Sequence, residues 1–310
     1  MPSTLHSKPV IVIGASNIDI KGKSYNSLII SDSNPSNIKM TVGGVGRNIA
    51  ENLIRLNVNT ILLSSVGNDF QGNKIIKSLT EAGLDTSHMI ISDKYQTGTY
   101  IAVLDYNGEM HTALSSMDIN NTIDINYINE KKDIISNAKY IVLDTNLNTE
   151  VIEHIIKLAQ FYNIPVCVEP VSTSKAKKLR NLLYGISLIT PNTAELDALI
   201  PDNKMFLKTE DKAQYLLNKG LKNIVLTMGR DGAFLFSENA RIKEKSIQTE
   251  INDVTGAGDS FMAGLIYGLY NDYEWSRTLK YATALASLTI KSHNTVYEEL
   301  NVNLPDKLLD

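Results

Sequence analysis

A mostly parallel β-sheet with helices on both faces, carrying a small β-sheet lid, is the fold class that the 310-residue sequence predicts. Three observations predict it. Short β-branched runs alternate with longer segments of helical period, which implies right-handed βαβ crossovers and a three-layer α/β/α arrangement. Two intervals, about 18–42 and 98–115, break the alternation with polar or hairpin-like sequence. No repeat, low-complexity tract or linker divides the chain, so residues 1–310 read as one domain with the lid segments inserted in it.

The elements follow in order. Apolar runs at 9–13, 60–64, 140–144, 165–169, 187–190 and 223–227 read as strands buried on both faces. Between them, 72–82, 149–162, 175–183 and 209–219 carry helical spacing. Residues 18–42 have extended pieces around Leu28–Ile30 and Lys39–Val42. Asn107-Gly108 between two extended runs signals a hairpin in 98–115, and a second hairpin is expected at 233–246. In open sheets of this kind, ligands collect beyond the carboxyl ends of the strands.

Composition excludes several classes of function. A formal net charge of −4 gives no electrostatic case for nucleic acid or an anionic membrane as partner. The lysine runs 175–178 and 243–245 read as solvated faces. Cys167 is the only cysteine and sits in an apolar run, as a small buried hydrophobe would. The five histidines, His6, His88, His111, His154 and His293, are scattered without metal-ligand spacing. No apolar run has the length of a membrane span, and the N-terminus lacks an apolar signal core, so a reducing, cytoplasmic location is expected.

The most informative stretch is 253–259, DVTGAGD, followed by an apolar helical segment. Gly256, Ala257 and Gly258 at a helix N-terminus can aim backbone N–H groups at an anion, above all a phosphate. Asp259 would repel that anion unless its carboxylate takes a proton from a hydroxyl attacking a phosphoryl group. The alternative for the loop alone is a tight turn with Asp259 as a helix cap.

Four further clusters stand at expected strand or helix ends. Gly43-Gly44-Val45-Gly46-Arg47-Asn48 precedes a helix over 49–56; its bare glycines admit a ligand, and Asn48 offers donors and acceptors to sugar hydroxyls. A dinucleotide-binding reading fails, because the first strand leads into a segment, 14–17, with one glycine where three are needed. Asn17 and Asp19, spaced by two in an extended segment, point the same way and suit a polyol. Asn192 and Glu195 share the first turn of a helix, where they fit either magnesium-bound water beside phosphate or a capping box. Thr227, Gly229 and Gly232 end a strand and leave room for a nucleotide, or simply make a turn into the next hairpin.

Taken together these motifs resemble the ribokinase-like (PfkB) carbohydrate kinases from end to end: GGVGRNIA (43–50), NTAE (192–195), TMG (227–229) and DVTGAGD (253–259), in that order. The resemblance implies a ribokinase-like fold, ATP as donor and Mg²⁺ as cofactor. By motif match Asp259 is the catalytic base, and Gly256, Ala257 and Gly258 form the anion hole. Asn17, Asp19, Gly43, Gly44 and Asn48 contact the acceptor. Asn192 and Glu195 organise magnesium indirectly, and Thr227, Gly229 and Gly232 approach ATP. Many relatives hold a monovalent cation such as K⁺ at positions matching Asp253 and Thr255, and lid sheets in the family often pair into homodimers. Ser292 stands where many relatives have glycine, which leaves K⁺ use open. Within the family, GGVGRNIAENL (43–53), EPVSTSKA (169–176) and SHNTV (292–296) look most like members acting on pseudouridine. The expected acceptor is therefore its 5′-hydroxyl. Ribose, adenosine or another nucleoside is the alternative, and a non-catalytic nucleoside- or sugar-binding regulator is a remoter one.

Overall fold

The structure is a computed structural model and describes residues 7–202 and 208–309; His6 lies outside them. In chain order the strands are β1 (Val10–Ile13), β2 (Asn17–Ser24), β3 (Ser36–Gly43), β4 (Thr60–Leu63), β5 (Ser65–Gly67), β6 (Ile90–Ser92) and β7 (Gly98–Leu104). They continue with β8 (Met110–Ser116), β9 (Tyr140–Asp144), β10 (Val166–Glu169), β11 (Ile186–Ile189), β12 (Asn223–Thr227), β13 (Ala233–Ser237) and β14 (Arg241–Glu244). The helices are α1 (Val45–Arg55), α2 (Phe70–Glu81), α3 (Ile125–Glu130), α4 (Lys132–Ser136), α5 (Thr149–Phe161) and α6 (Thr173–Ala176). After these come α7 (Thr193–Leu199), α8 (Thr209–Asn218), α9 (Ala257–Tyr270), α10 (Trp275–Lys291) and α11 (Asp306–Leu309).

Eight strands form the main sheet in the order β14-β13-β12-β11-β10-β9-β1-β4. The strands from β4 to β12 run parallel, and β13 and β14 are added antiparallel at one edge. Alternate residues of each strand face opposite layers, as the pleat requires. Ile11, Ile13, Ile141 and Leu143 pack with α5, α7 and α8, while Val10, Val12, Val142 and Cys167 pack with α1, α9 and α10. Cys167 is buried as expected, and burial pushes its thiol up to about 12, so it is inert packing.

The lid is a four-stranded sheet in the order β3-β2-β7-β8. Its first half differs from expectation. The piece around Leu28–Ile30 is not a strand but part of the connection between β2 and β3. Ser31 there adopts φ 66°, and the Asn34 side chain bonds the main chain of Ile29, so the segment curls instead of pairing. In the second half, Asn107-Gly108 does turn a hairpin, through a longer loop than two residues. The Gly108 N–H donates to the Asp105 carbonyl, only Gly108 takes positive φ (90°), and the β7–β8 register shifts beside it. A type I turn with a glycine bulge results.

The expected helix over 175–183 is also shorter. It starts at Thr173, tightens to a 3₁₀ turn at Lys177–Leu179 and ends before Gly185, which has φ 97°. Nor is the lysine run there a solvated face throughout. Lys175 donates to Asn146 Oδ1 at 2.6 Å, and Lys178 donates to the carbonyls of Thr145 (2.9 Å) and Leu147 (2.8 Å). Burial lowers both ammonium pKa values.

The strand order reverses at β1, whose neighbours are β4 and β9, and the crevice at such a switch point is where open α/β sheets bind ligands. Asp144, at the end of β9, is fully buried there and ties the crevice together. Its carboxylate accepts from the N–H groups of Ala15 (2.8 Å), Gly46 (2.9 Å) and Asn146 (2.9 Å). A Cβ on Gly14 would lie 2.2 Å from Asp144 Oδ2, so glycine is needed for this approach. Asp144→Ala should destabilise the protein by about 3–5 kcal/mol in urea unfolding, because three buried donors lose their acceptor. Asp144→Asn, which keeps one acceptor oxygen, should cost clearly less.

Candidate active site

Two helices begin at the crevice. α9 starts from Gly256, held at φ 82°, where a Cβ would meet the Thr295 carbonyl at 2.1 Å. α1 starts from Gly44, held at φ 100° against the Ala15 carbonyl. Their first turns are joined side chain to side chain: Asn48 Nδ2 donates to Asp259 Oδ2 at 2.6 Å.

Asp259 is 8% exposed, and its carboxyl lines a cavity of about 220 Å³ with Glu169, Thr190, Asn192, Glu195, Thr227 and Gly258. Burial pushes its pKa up to about 7. The Asn48 hydrogen bond opposes that rise, Asp144 adds to it, Arg47 opposes it and Asp19 adds to it. A carboxylate of this kind gains or loses its proton near neutral pH, as a general base must.

The Asn48 amide is fixed in turn. Its Oδ1 accepts from the Thr295 hydroxyl at 3.0 Å, and Thr295 Oγ1 accepts from the Arg47 guanidinium at 2.7 Å. Arg47 pairs with Glu51 one turn on and also donates to the Val42 carbonyl, where β3 leads into α1. Arg47 and Glu51 are both buried, so this is a paired charge inside the protein.

On the acceptor side, Asn17 Nδ2 donates to Asp19 Oδ1 at 2.6 Å, which confirms that the two side chains share one face of β2. Burial raises the Asp19 pKa although Asn17 and Arg47 act against it. A Cβ on Gly43 would come within 2.3 Å of Asp19 Oδ2, so the bare backbone at 43 gives that carboxylate its place.

A larger cleft of about 880 Å³ adjoins the first cavity and shares Asn192, Thr227 and Gly258 with it. Gly229, Gly232, Thr249, Ala257, Phe261 and Thr283 are among its lining residues. Gly229, at φ 55°, has open space where a side chain would stand. Gly232 is different: a Cβ there would strike the Glu244 carbonyl at 2.0 Å, so this glycine serves the turn into β13 as well as the cleft. The Thr249 hydroxyl oxygen is buried and has no hydrogen-bond partner among the described residues.

The anion loop is sparer in donors than its sequence suggests. The Ala257 N–H is spent on the Val254 carbonyl at 3.2 Å. The Gly258 N–H has no such main-chain acceptor among the described residues, and a Cβ at 258 would meet nothing within 4 Å. Glycine at 258 therefore keeps the cavity open, whereas glycine at 256 is demanded by the fold.

Asn192 and Glu195 form a complete capping box: Glu195 N–H donates to Asn192 Oδ1 at 2.9 Å, and Asn192 N–H donates to Glu195 Oε2 at 3.0 Å. The capping-box alternative is thus observed, and Glu195 also faces the cavity. Burial raises the Glu195 pKa and pushes that of Glu169 well up, where Asp259 and Glu195 add to the effect. Carboxylates crowded in this way, with only oxygen donors beside them, suit a hard cation such as Mg²⁺, which would relieve their mutual repulsion. Among the described residues no group of His, Cys, Asp and Glu makes a metal cage by itself, so phosphate oxygens and water would complete the shell. The expected monovalent-cation position does not fit a metal ion: Lys21 Nζ donates to Asp253 Oδ2 at 2.7 Å and to Thr255 Oγ1 at 2.6 Å.

Glu169, Asp144, Arg47, Thr295, Thr249 and Lys21 carry no role in the sequence reading. Glu169 at the carboxyl end of a buried strand was the one with a readable signal, a charge closing an apolar run. Val171, two residues on, has φ 66°, unusual for a β-branched residue, and lies at the same cavity.

Comparison with known proteins shows the family. Residues 7–300 match the family described as pfkB family carbohydrate kinase. The chain is 35% identical over 297 residues to a pseudouridine kinase of Escherichia coli (strain K12), covering 94% of each chain. Among solved structures, a putative sugar kinase from Clostridium perfringens superposes with a TM-score of 0.83 at 32% identity, covering 98% of this chain and 96% of that one. An Arabidopsis thaliana ribokinase complexed with ribose and ATP gives 0.86 at 20% identity, covering 98% and 99%, a likeness of fold. The chain belongs to the pfkB family of carbohydrate kinases.

Proposed function

We propose that this protein transfers the γ-phosphoryl group of ATP to the 5′-hydroxyl of pseudouridine. The observation that carries the chemistry is the buried Asp259 carboxylate, which lies between the lid-side Asn48 and the open Gly258 of the anion loop. The choice of acceptor is supported by the E. coli relative, which is the pseudouridine kinase noted above.

In this reading Asn17 and Asp19 accept and orient the acceptor's hydroxyls from the lid, and Asn48 holds Asp259 with one oxygen free. Asp259 takes the hydroxyl proton as the oxygen attacks. The Gly258 amide and the positive end of α9 receive the negative charge that spreads over the transferred group. Magnesium bound among Glu169, Glu195 and phosphate would supply further charge neutralisation. The 880 Å³ cleft, with Thr249 on its wall, takes the rest of the nucleotide. Dependence on ATP puts the enzyme in the cytoplasm. Among the described residues no helix is long and apolar enough to cross a membrane. On the lid face opposite Asp19, Met40, Ile20, Ile101 and Leu114 stand in one cross-strand row, three of them exposed, and this row is read as a homodimer surface.

Turnover on pseudouridine, uridine, adenosine, ribose and fructose 6-phosphate tests the acceptor. The expected result is a kcat/KM for pseudouridine at least about tenfold above every other, a difference of about 1.4 kcal/mol. Equal or better use of ribose would replace this reading with that of a ribokinase.

Asp259→Asn should lower kcat about 10²–10⁴-fold with acceptor binding kept. The wild-type kcat/KM should fall with acidity below pH about 7, as the base is protonated, and Asn48→Ala should move that midpoint upward. Because the folded state raises this pKa, stability is fully present below the ordinary carboxylate range and is lost as pH rises through about 7. Asp259→Asn should therefore melt higher than wild type at pH 8, by a free energy of the order of 4 kcal/mol or less, with the gap closing toward pH 4.

The two anion-loop glycines should separate. Gly258→Ala should melt like wild type yet lose most activity, since its methyl enters the cavity. Gly256→Ala should lower the melting temperature, because its Cβ meets the Thr295 carbonyl.

A further inference from the structure

Lys21 and Asp19 lie two apart on β2 and so project from one face of the lid, toward the anion loop. Lys21 Nζ bridges Asp253 Oδ2 (2.7 Å) and Thr255 Oγ1 (2.6 Å), and each partner is also tied to the other. Asp253 Oδ1 accepts from the Thr255 N–H at 2.9 Å and from its hydroxyl at 2.6 Å. Burial works to raise the Asp253 pKa, but the hydrogen bonds from Lys21 and Thr255 outweigh it, so the carboxylate is held below its ordinary value.

The start of the loop is anchored on its other side by the end of α10. Asn252 and Asp253 N–H groups both donate to the Ile290 carbonyl, and Asn252 Nδ2 donates to the Lys291 carbonyl at 2.7 Å. Lys39 sits directly across from Lys21 in the β2–β3 ladder, and its ammonium reaches the carbonyl of His293. Two lysines facing each other across a ladder repel unless each has its own acceptor. Here both find one on the segments flanking the anion loop, and only Lys21 meets a carboxylate.

Asp253 stands three residues before the turn that must receive a phosphate. Left bare, its charge would oppose the incoming anion; neutralised, it serves as a fixed anchor for the loop. We infer that Lys21 is the built-in cation of the anion loop, so that the lid itself supplies the charge that a bound K⁺ would otherwise bring. The inference rests on the kinase reading given above for its activity readout, and deepens it. Two consequences follow. Turnover does not depend on a monovalent metal ion. The strand that holds the acceptor through Asp19 is joined to the loop that holds the phosphate, so the loop is fully ordered only with the lid in place.

The test compares wild type, Lys21→Met and Lys21→Arg, freed of K⁺ and ammonium, in KCl and in choline chloride at equal ionic strength. With pseudouridine and ATP, wild type and Lys21→Arg should turn over equally in both salts. Lys21→Met should lose about tenfold in kcat/KM in choline chloride, and KCl should restore most of it. Melting of the ligand-free proteins gives a readout that no acceptor enters. KCl should leave the wild-type midpoint in place and raise that of Lys21→Met. A wild-type enzyme that needs K⁺, an undiminished Lys21→Met, or a loss that KCl does not restore would each overturn the inference. If wild type phosphorylates no acceptor, the kinase reading fails, while the melting comparison still decides the role of Lys21.

Discussion

Everything at the crevice depends on one buried hydrogen bond, from the Asn48 amide to the Asp259 carboxylate at 2.6 Å. A carboxyl group out of water prefers to be neutral, and burial lifts the Asp259 pKa to about 7. The Asn48 donor limits that rise and leaves the group able to ionise. It also joins the starts of α1 and α9, so the glycine-rich turn before one helix and the anion loop before the other are held in a single register. The chain Glu51–Arg47–Thr295–Asn48 then fixes the donor itself.

The same economy of buried charge recurs around the site. Asp144 is wholly buried and is made tolerable by three main-chain N–H groups from separate segments. It thereby holds β1 to the start of α1 at the point where the strand order reverses. Glu169 and Glu195 are crowded against Asp259 with raised pKa values, an arrangement that a cation would relieve. On the lid side the balancing charge is already present, because Lys21 meets Asp253.

Much of this was legible in the residues. The near-continuous apolar runs placed all six parallel strands of the main sheet within a residue or so, because strands buried on both faces leave little choice of composition. The glycine clusters stand at both helix starts, since positive φ at Gly44 and Gly256 is open to few other residues. However, α1 begins at Val45 rather than at the expected 49, which puts Gly46, Arg47 and Asn48 inside the helix. Where the reading failed, a side-chain hydrogen bond to the main chain or to another side chain had overridden the local pattern. Leu28–Ile30 has strand-like composition, yet the Asn34 side chain curls that segment into a loop. Lys175 and Lys178 look like a solvated run, but carbonyls and an amide oxygen just beyond β9 accept their hydrogen bonds.

The sequence by itself determined the layered fold, the place of the anion loop and the identity of its acidic residue, because each depends on local conformation and short-range pattern. Only the tertiary structure decided which groups meet. Asn48 and Asp259 are 211 residues apart, and Lys21 and Asp253 are 232 apart. No spacing rule joins such distant positions. Their pairing follows from the order of strands in the sheet and from the desolvation that burial imposes on every charge the chain brings to one crevice.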